Sequence, residues 1–233
     1  MTPTSPFRYL WLVSSPKAYF RATFGLLAAV GIAIEFVNPG SSDFATASIL
    51  LVQLFAVSTG FNRFASRGYY DPVLVTSSRA TVAFTHFLVA VLPGFLAWTL
   101  VGLAEATQAG SLGVLAFRPA ALTSLLLVST VPWAISLRLP PLSGGAIWLA
   151  LSVCFLATGA GTRLLAILKQ SAETNGPGFT EGLAFGAAFP LLLPGMRLSA
   201  SVLLGLLGVS IIAFSAGVFL VVKAEFPLAE EGL

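Results

Sequence analysis

The sequence predicts an all-α integral membrane protein with six transmembrane helices, and three observations carry that expectation. Of its 233 residues, 57% are hydrophobic and only 9% are charged, against about 25% charged in a soluble domain. Mean hydropathy is +0.93. Six apolar runs, each bounded by breaker clusters, are close to the length a spanning helix needs, which is roughly 20 residues. A chain with so few charges cannot clothe a globular surface of this size in polar groups, so lipid must be the solvent over most of its outside. One domain, 1–233, is expected.

The first span runs from Ala22 to Val37, lengthened by Tyr19 and Phe20, and ends at "NPGSSD". Arg8, Lys17 and Arg21 precede it, as in a signal peptide. The run ends in "AIEFVNPG" with no small-x-small cleavage site, so a retained helix is expected. Just ahead of it, 14–24 reads "SSPKAYFRATF". Lys17 and Arg21 lie four apart with Ala18, Phe20 and Phe24 as apolar surface. That pattern suits an amphipathic interfacial helix. The second span runs from Phe44 to about Phe64. The third, Ala80 to Leu103, contains Pro93 and Gly94 as an expected kink. The fourth covers Pro119 to Leu137, and "RLPPLSGG" breaks the chain before a fifth at Ala146 to Thr162. The last is Leu198 to Val222, followed by Lys223 and an acidic tail.

The region 163–197 fits no simple span. Its apolar part, Phe179 to Leu193, starts beside Glu181 and is interrupted by Pro190 and Pro194. Short apolar stretches of this kind form re-entrant or interfacial segments more often than spans. Gly178, Gly182 and Gly186 recur at four-residue spacing, leaving one helical face of bare backbone for close helix packing.

Charge sets the orientation. Arg8, Lys17, Arg21, Arg63, Arg67, Arg79, Arg138 and Lys223 fall on one side of a six-span topology, eight of the twelve cations. Arg118, Lys169 and Arg197, with Arg163 near the end of the fifth span, fall on the other. The bias puts both termini in the cytoplasm. A seventh span through 179–193 is the rival topology. The net charge of +3 reads as loop arginines fixing that topology rather than as a nucleic-acid footprint.

Chemistry-bearing clusters are scarce. Cys154 is the single cysteine, which rules out an intramolecular disulfide and a cysteine metal cluster. His86 is the single histidine, without a carboxylate within a turn or two on its own helix. It and Glu35, near the outer end of the first span, are the candidates for a translocation path. His86 also reads as a hydrogen-bonded packing residue, and Glu35 as one that reaches water. No catalytic residue, cofactor site or metal site is expected. No G-x-x-x-x-G-K-[ST] phosphate loop occurs, so ATP cannot be cradled that way by this chain.

The longest cytoplasmic connection, 66–79, holds "RGYYDPVLVTSSR". Gly68 permits a turn, Asp71 caps and Pro72 opens a short helix, and Val73 to Val75 give it an apolar surface. "TSSR" ends it and caps the next span. A polar turn would have sufficed, so Arg67, Tyr69, Tyr70, Asp71, Leu74 and Arg79 are candidate partner-docking residues. The pattern resembles the coupling helix of type-2 ABC exporter permeases, which joins the second and third of six spans. The amphipathic helix before the first span and the re-entrant segment before the last resemble that family's layout too. Its relatives often carry an acidic residue just before the glycine, where this chain has Arg67.

The resemblance implies a permease subunit in a bacterial or archaeal inner membrane, paired with a second permease subunit. It also implies an ATP-binding cassette ATPase docked on 66–79 that holds ATP and Mg itself, and a lipidic, polymeric or amphipathic cargo. A haem-export-type permease of cytochrome maturation shares the layout. A non-ABC membrane enzyme or scaffold would call for clustered His, Asp or Glu at span ends. A secondary transporter would call for mid-membrane carboxylates and an internal repeat.

Overall fold

The computed structural model describes residues 6–14, 16–59, 78–110, 119–137, 143–157, 162, 166, 179–195 and 198–223. Its elements are helical throughout: α1 (Pro6–Ser14), α2 (Ala18–Val37), α3 (Asp43–Ser58), α4 (Arg79–Gln108), α5 (Pro119–Ser136), α6 (Ser143–Leu156), α7 (Phe179–Ala188), a 3-10 turn (Pro190–Gly195) and α8 (Ala200–Lys223). Four of these, α2, α4, α5 and α8, are long and apolar enough to cross a membrane. The chain is a membrane protein on that ground. α3 and α6 are equally apolar but shorter, at 16 and 14 residues.

Packing shows which ends lie together. Leu10 of α1, Val57 of α3, Val82, Ala83 and Phe87 of α4, Trp133 of α5 and Val221 of α8 share one cluster. Gly144 of α6 abuts Ser136, and Gly145 abuts Ser58. The ends of α3, α5 and α8 therefore meet the beginnings of α4 and α6. At the opposite end Gly31 of α2 abuts Ala45 of α3 and Val101 of α4. α2 to α6 alternate in direction through the bundle, whereas α7 runs parallel to α8, Gly182 meeting Val202 and Gly186 meeting Leu206. α4 and α5 form its interior, whereas α2 and α8 bury little of their surface. The large side chains Leu26, Phe36, Leu204, Ile211, Ile212 and Phe219 face outward, which only an apolar solvent tolerates over so wide an area.

Several buried hydroxyls are satisfied within their own helices. Ser58 donates to the Leu54 carbonyl at 2.6 Å, Ser129 to Leu125 at 2.6 Å and Ser210 to Leu206 at 3.1 Å. With no water in a bilayer core, that back-bonding removes the cost of an unpaired donor.

The boundaries differ from expectation in identifiable ways. No helix runs across 14–24. Residues Pro16 and Lys17 break the chain, α1 lies upstream at Pro6–Ser14, and Ala18 onward belongs to α2. The residue before a proline is sterically disfavoured in helical geometry, and Pro16 acts on that boundary. α2 starts at Ala18, one residue ahead of the expected extension from Tyr19, and buries Phe24, one of the side chains expected at an interface. α4 continues through Pro93 to Gln108, past the expected Leu103. α6 begins at Ser143, inside the expected "RLPPLSGG" break, because Gly144 and Gly145 let it approach α5 and α3 closely.

Candidate functional site

Among the described residues, the end of α7 breaks helical backbone inside the bundle. Helix α7 stops at Ala188, Pro190 starts a 3-10 turn, and this break packs against the middles of α3 and α5. Phe185 and Leu193 share a core cluster with Leu50, Leu54, Leu125 and Val128. Val128 is nine residues into the 18 of α5, roughly 13 Å from its start at 1.5 Å per residue. A helix end leaves its last carbonyls without partners, and inside hydrocarbon water cannot supply them. Two side chains of α6 do so here. Trp148 Nε1 donates to the Ala187 carbonyl at 3.1 Å, and Ser152 Oγ to the Ala188 carbonyl at 2.5 Å. Ser124 Oγ donates to the Pro190 carbonyl. Irregular backbone survives at such depth only when protein satisfies it in this way.

α7 is held on its other side by close backbone approach. A Cβ on Gly182 would lie 2.7 Å from a Val202 methyl, and one on Gly186 would lie 2.5 Å from a Leu206 methyl. In return, Leu183 and Phe179 cover Gly205 of α8. Gly182 and Gly186 thus form the stripe on which α7 meets α8. Gly178 lies outside the described residues.

The docking candidates Arg67, Tyr69, Tyr70, Asp71 and Leu74 also lie outside the described residues. Arg79 is described at the head of α4. Its Nη1 donates to the Val222 carbonyl at 3.3 Å, placing a cation against the carboxyl end of α8, where the helix dipole favours one. Ser78 caps α4, its hydroxyl accepting from the Thr81 N–H at 3.2 Å.

Glu35 does not reach water. It is 1% exposed, and its Oε1 accepts from the Gly40 N–H at 2.8 Å. The carboxylate thereby closes the Asn38–Pro39–Gly40 turn, in which Gly40 takes a φ of 84°, a region open mainly to glycine. His86 is also buried, and its Nδ1 accepts from Trp133 Nε1 at 3.4 Å within an aromatic group of Phe87, Trp133 and Phe214. Glu35 and His86 are not brought together: one sits at the end of α2, the other near the start of α4.

Charge divides the described residues by end. Arg8, Lys17, Arg21, Arg79 and Lys223 lie where α4 begins and α8 ends, whereas Glu35, Asp43 and Glu105 lie at the opposite end. Among the described residues no group of three or more His, Cys, Asp or Glu could hold a metal ion. The residues that satisfy the α7 break were not singled out by sequence reasoning. The readable signal was a tryptophan and two serines inside apolar runs, each with a donor that must find an acceptor. Comparison with family models, curated proteins and solved structures finds no match for this chain.

Proposed function

We propose that this chain is the permease subunit of an ATP-driven type-2 exporter, working with a separate ATPase that docks on 66–79. The observation that carries the reading is the break after α7, set into the middle of a helical bundle immediately before the last helix. On this reading α3 and α6 complete six spans with the four longer helices, and α7 with its 3-10 turn is the re-entrant segment. The end rich in Arg and Lys faces the cytoplasm, as the positive-inside rule requires, so both termini lie there. Arg79 couples the two ends of the machinery. It closes the docking loop in sequence and donates to the Val222 carbonyl near the end of α8, so a push on the loop reaches the helix against which the re-entrant segment packs. A second permease subunit covers the outward faces of one or more of the less buried helices. Lipidic, polymeric or amphipathic cargo fits a bundle with so few charges.

The test is the double variant Tyr70→Asp with Leu74→Asp. Residues four apart share one face of a helix, and each buried anchor of a small docking helix contributes roughly 2 kcal/mol or more. The variant should insert in membranes normally and lose co-purification with its ATPase, together with substrate-stimulated ATP hydrolysis. If it retains the ATPase at the wild-type ratio with normal hydrolysis, 66–79 is not a coupling helix.

A further inference from the structure

A cavity of about 150 Å3 lies beside the α7 break, lined by Leu54, Val128, Trp148, Leu149, Ser152 and Ala188, with residues 189–191 closing it. Its position, size and chemistry narrow what it can take. Val128 places it at the depth of the middle of α5, where a bilayer offers hydrocarbon and no water. The volume is well below that of a drug-sized site, roughly 300–1,000 Å3, and equals that of an apolar cavity that stays dry and takes up benzene-sized guests. The polar groups at its wall are already engaged. Trp148 Nε1 donates to the Ala187 carbonyl, and Ser152 Oγ to the Ala188 carbonyl. The guest therefore meets methyl, methylene and aromatic surface only. Leu149 and Leu191 are partly exposed, so the cavity communicates with the lipid-facing side between α6 and the 3-10 turn.

We propose that this cavity holds the terminal methylenes of one acyl chain of a membrane phospholipid. The chain lies against the broken end of α7 and fills the space that Pro190 opens by stopping the helix. A headgroup has no donor or acceptor to meet there, so binding follows chain chemistry and not headgroup identity. The proposal rests on the chain lying in a bilayer and is independent of the exporter reading.

Tryptophan quenching tests it directly, because Trp148 forms part of the wall. The full chain is reconstituted in phosphatidylcholine vesicles whose acyl chains carry bromine near the methyl end, which quenches an indole on contact. Trp11, Trp98 and Trp133 are changed to Phe, leaving Trp148 as the single emitter. Although Trp148 is only 8% exposed, it should be quenched about as strongly as a lipid-facing control made by Leu151→Trp with Trp148→Phe. Ala188→Leu, which projects three carbons into the cavity, should reduce Trp148 quenching severalfold and leave the control unchanged. Weak quenching of Trp148 overturns the proposal. Quenching that Ala188→Leu leaves untouched also overturns it, since the bromine then reaches the indole from outside the cavity. A second measurement guards against misfolding of the Trp-depleted protein. With all tryptophans present, a phospholipid bearing a photoreactive group at its chain end should label residues around 148–152 and 188–191, and Val128→Phe should suppress that labelling. Labelling spread evenly over α2 and α8 instead would rule the site out.

Discussion

Pro93 and Pro190 both interrupt apolar sequence at membrane depth, and the chain answers them in opposite ways. α4 runs through Pro93 without ending, fourteen residues before it and fifteen after. α7 stops two residues ahead of Pro190, and the chain turns in a 3-10 helix. Proline removes one hydrogen bond and clashes with the preceding turn in either place. What differs is the length of helix on each side and the partners at hand. α4 has long apolar arms packed against α2, α3 and α8, so leaving the helix would expose many backbone groups to lipid. Among the described residues Gln53 reaches this stretch, with Nε2 at 3.5 Å from the Ala90 carbonyl, next to the Val89 carbonyl that Pro93 leaves without its helical donor. α7 has only ten residues, two donors from α6 receive its last carbonyls, and a third from α5 receives the Pro190 carbonyl of the turn that follows. In this chain the helix ends at the proline whose neighbouring carbonyls find donors on other helices, and continues through the other.

The largest effect should come from taking α7 off α8. A Cβ at Gly186 would lie 2.5 Å from a Leu206 methyl and 3.2 Å from its Cγ, so Gly186→Leu displaces a fully buried side chain of the cluster around the break. Overpacking of this kind costs about 1–3 kcal/mol, and the loss of α7 contacts adds to it. Gly182→Leu meets Val202 similarly at 2.7 Å. Both variants should lower thermal stability in detergent by many degrees, whereas Gly25→Leu, whose Cβ would meet nothing within 4 Å, should leave it unchanged. Equal melting of all three proteins would mean that α7 is not seated as described.

The next effect is Ser152→Ala. It strips the Ala188 carbonyl of its donor at a site water cannot reach, and an unsatisfied buried acceptor costs about 1–3 kcal/mol. Ser152→Thr keeps the hydroxyl and should recover most of the loss. The readout is the unfolding midpoint, together with protease access near residue 190, which a merely local packing defect on α6 would not raise.

Which of these features the sequence displays depends on how far apart the interacting residues lie. The apolar runs, the glycine repeat at 182 and 186 and the interruption at Pro190 are local patterns, and each falls on the element the structure builds there. The capping of α4 by Ser78 is local too. The donors to the α7 break lie 36 to 66 residues away in sequence, so no window of the chain contains them beside their acceptors. Glu35 was misjudged for the opposite reason. Its partner, the Gly40 N–H, is five residues on, and depth along the span says nothing of the turn that brings it back. The helix expected across 14–24 is divided at Pro16, which the spacing of charge and apolar residues does not register. Pro6 at the first position of α1 and the buried Leu10 mark where that helix lies.

The smallest effect tests the other proline. Gln53 is fully buried between α3, α4 and α5, which makes it look costly to change. Its contacts indicate otherwise. Nε2 lies 3.5 Å from the Ala90 carbonyl and 3.4 Å from Ser129 Oγ, at the long end for hydrogen bonds, which weaken steeply with distance and misalignment. Ser129 keeps its own bond to Leu125 at 2.6 Å whatever happens at 53. Oε1 has no hydrogen-bond partner and rests against Gly94. Gln53→Leu therefore gives up two weak bonds and removes one buried unsatisfied oxygen, while keeping nearly the same volume. Replacing polar partners by apolar groups of the same shape is close to neutral, so the change should stay within about 1 kcal/mol, well under the cost of Ser152→Ala. Gly94→Ala adds the complementary measurement. Its Cβ would lie 2.1 Å from Gln53 Oε1, so it should destabilise the wild type more than the Gln53→Ala background, where that oxygen is gone. Should Gln53→Leu prove costlier than Ser152→Ala, then α4 depends on an outside donor at its proline as much as α7 does, and the contrast between the two prolines fails.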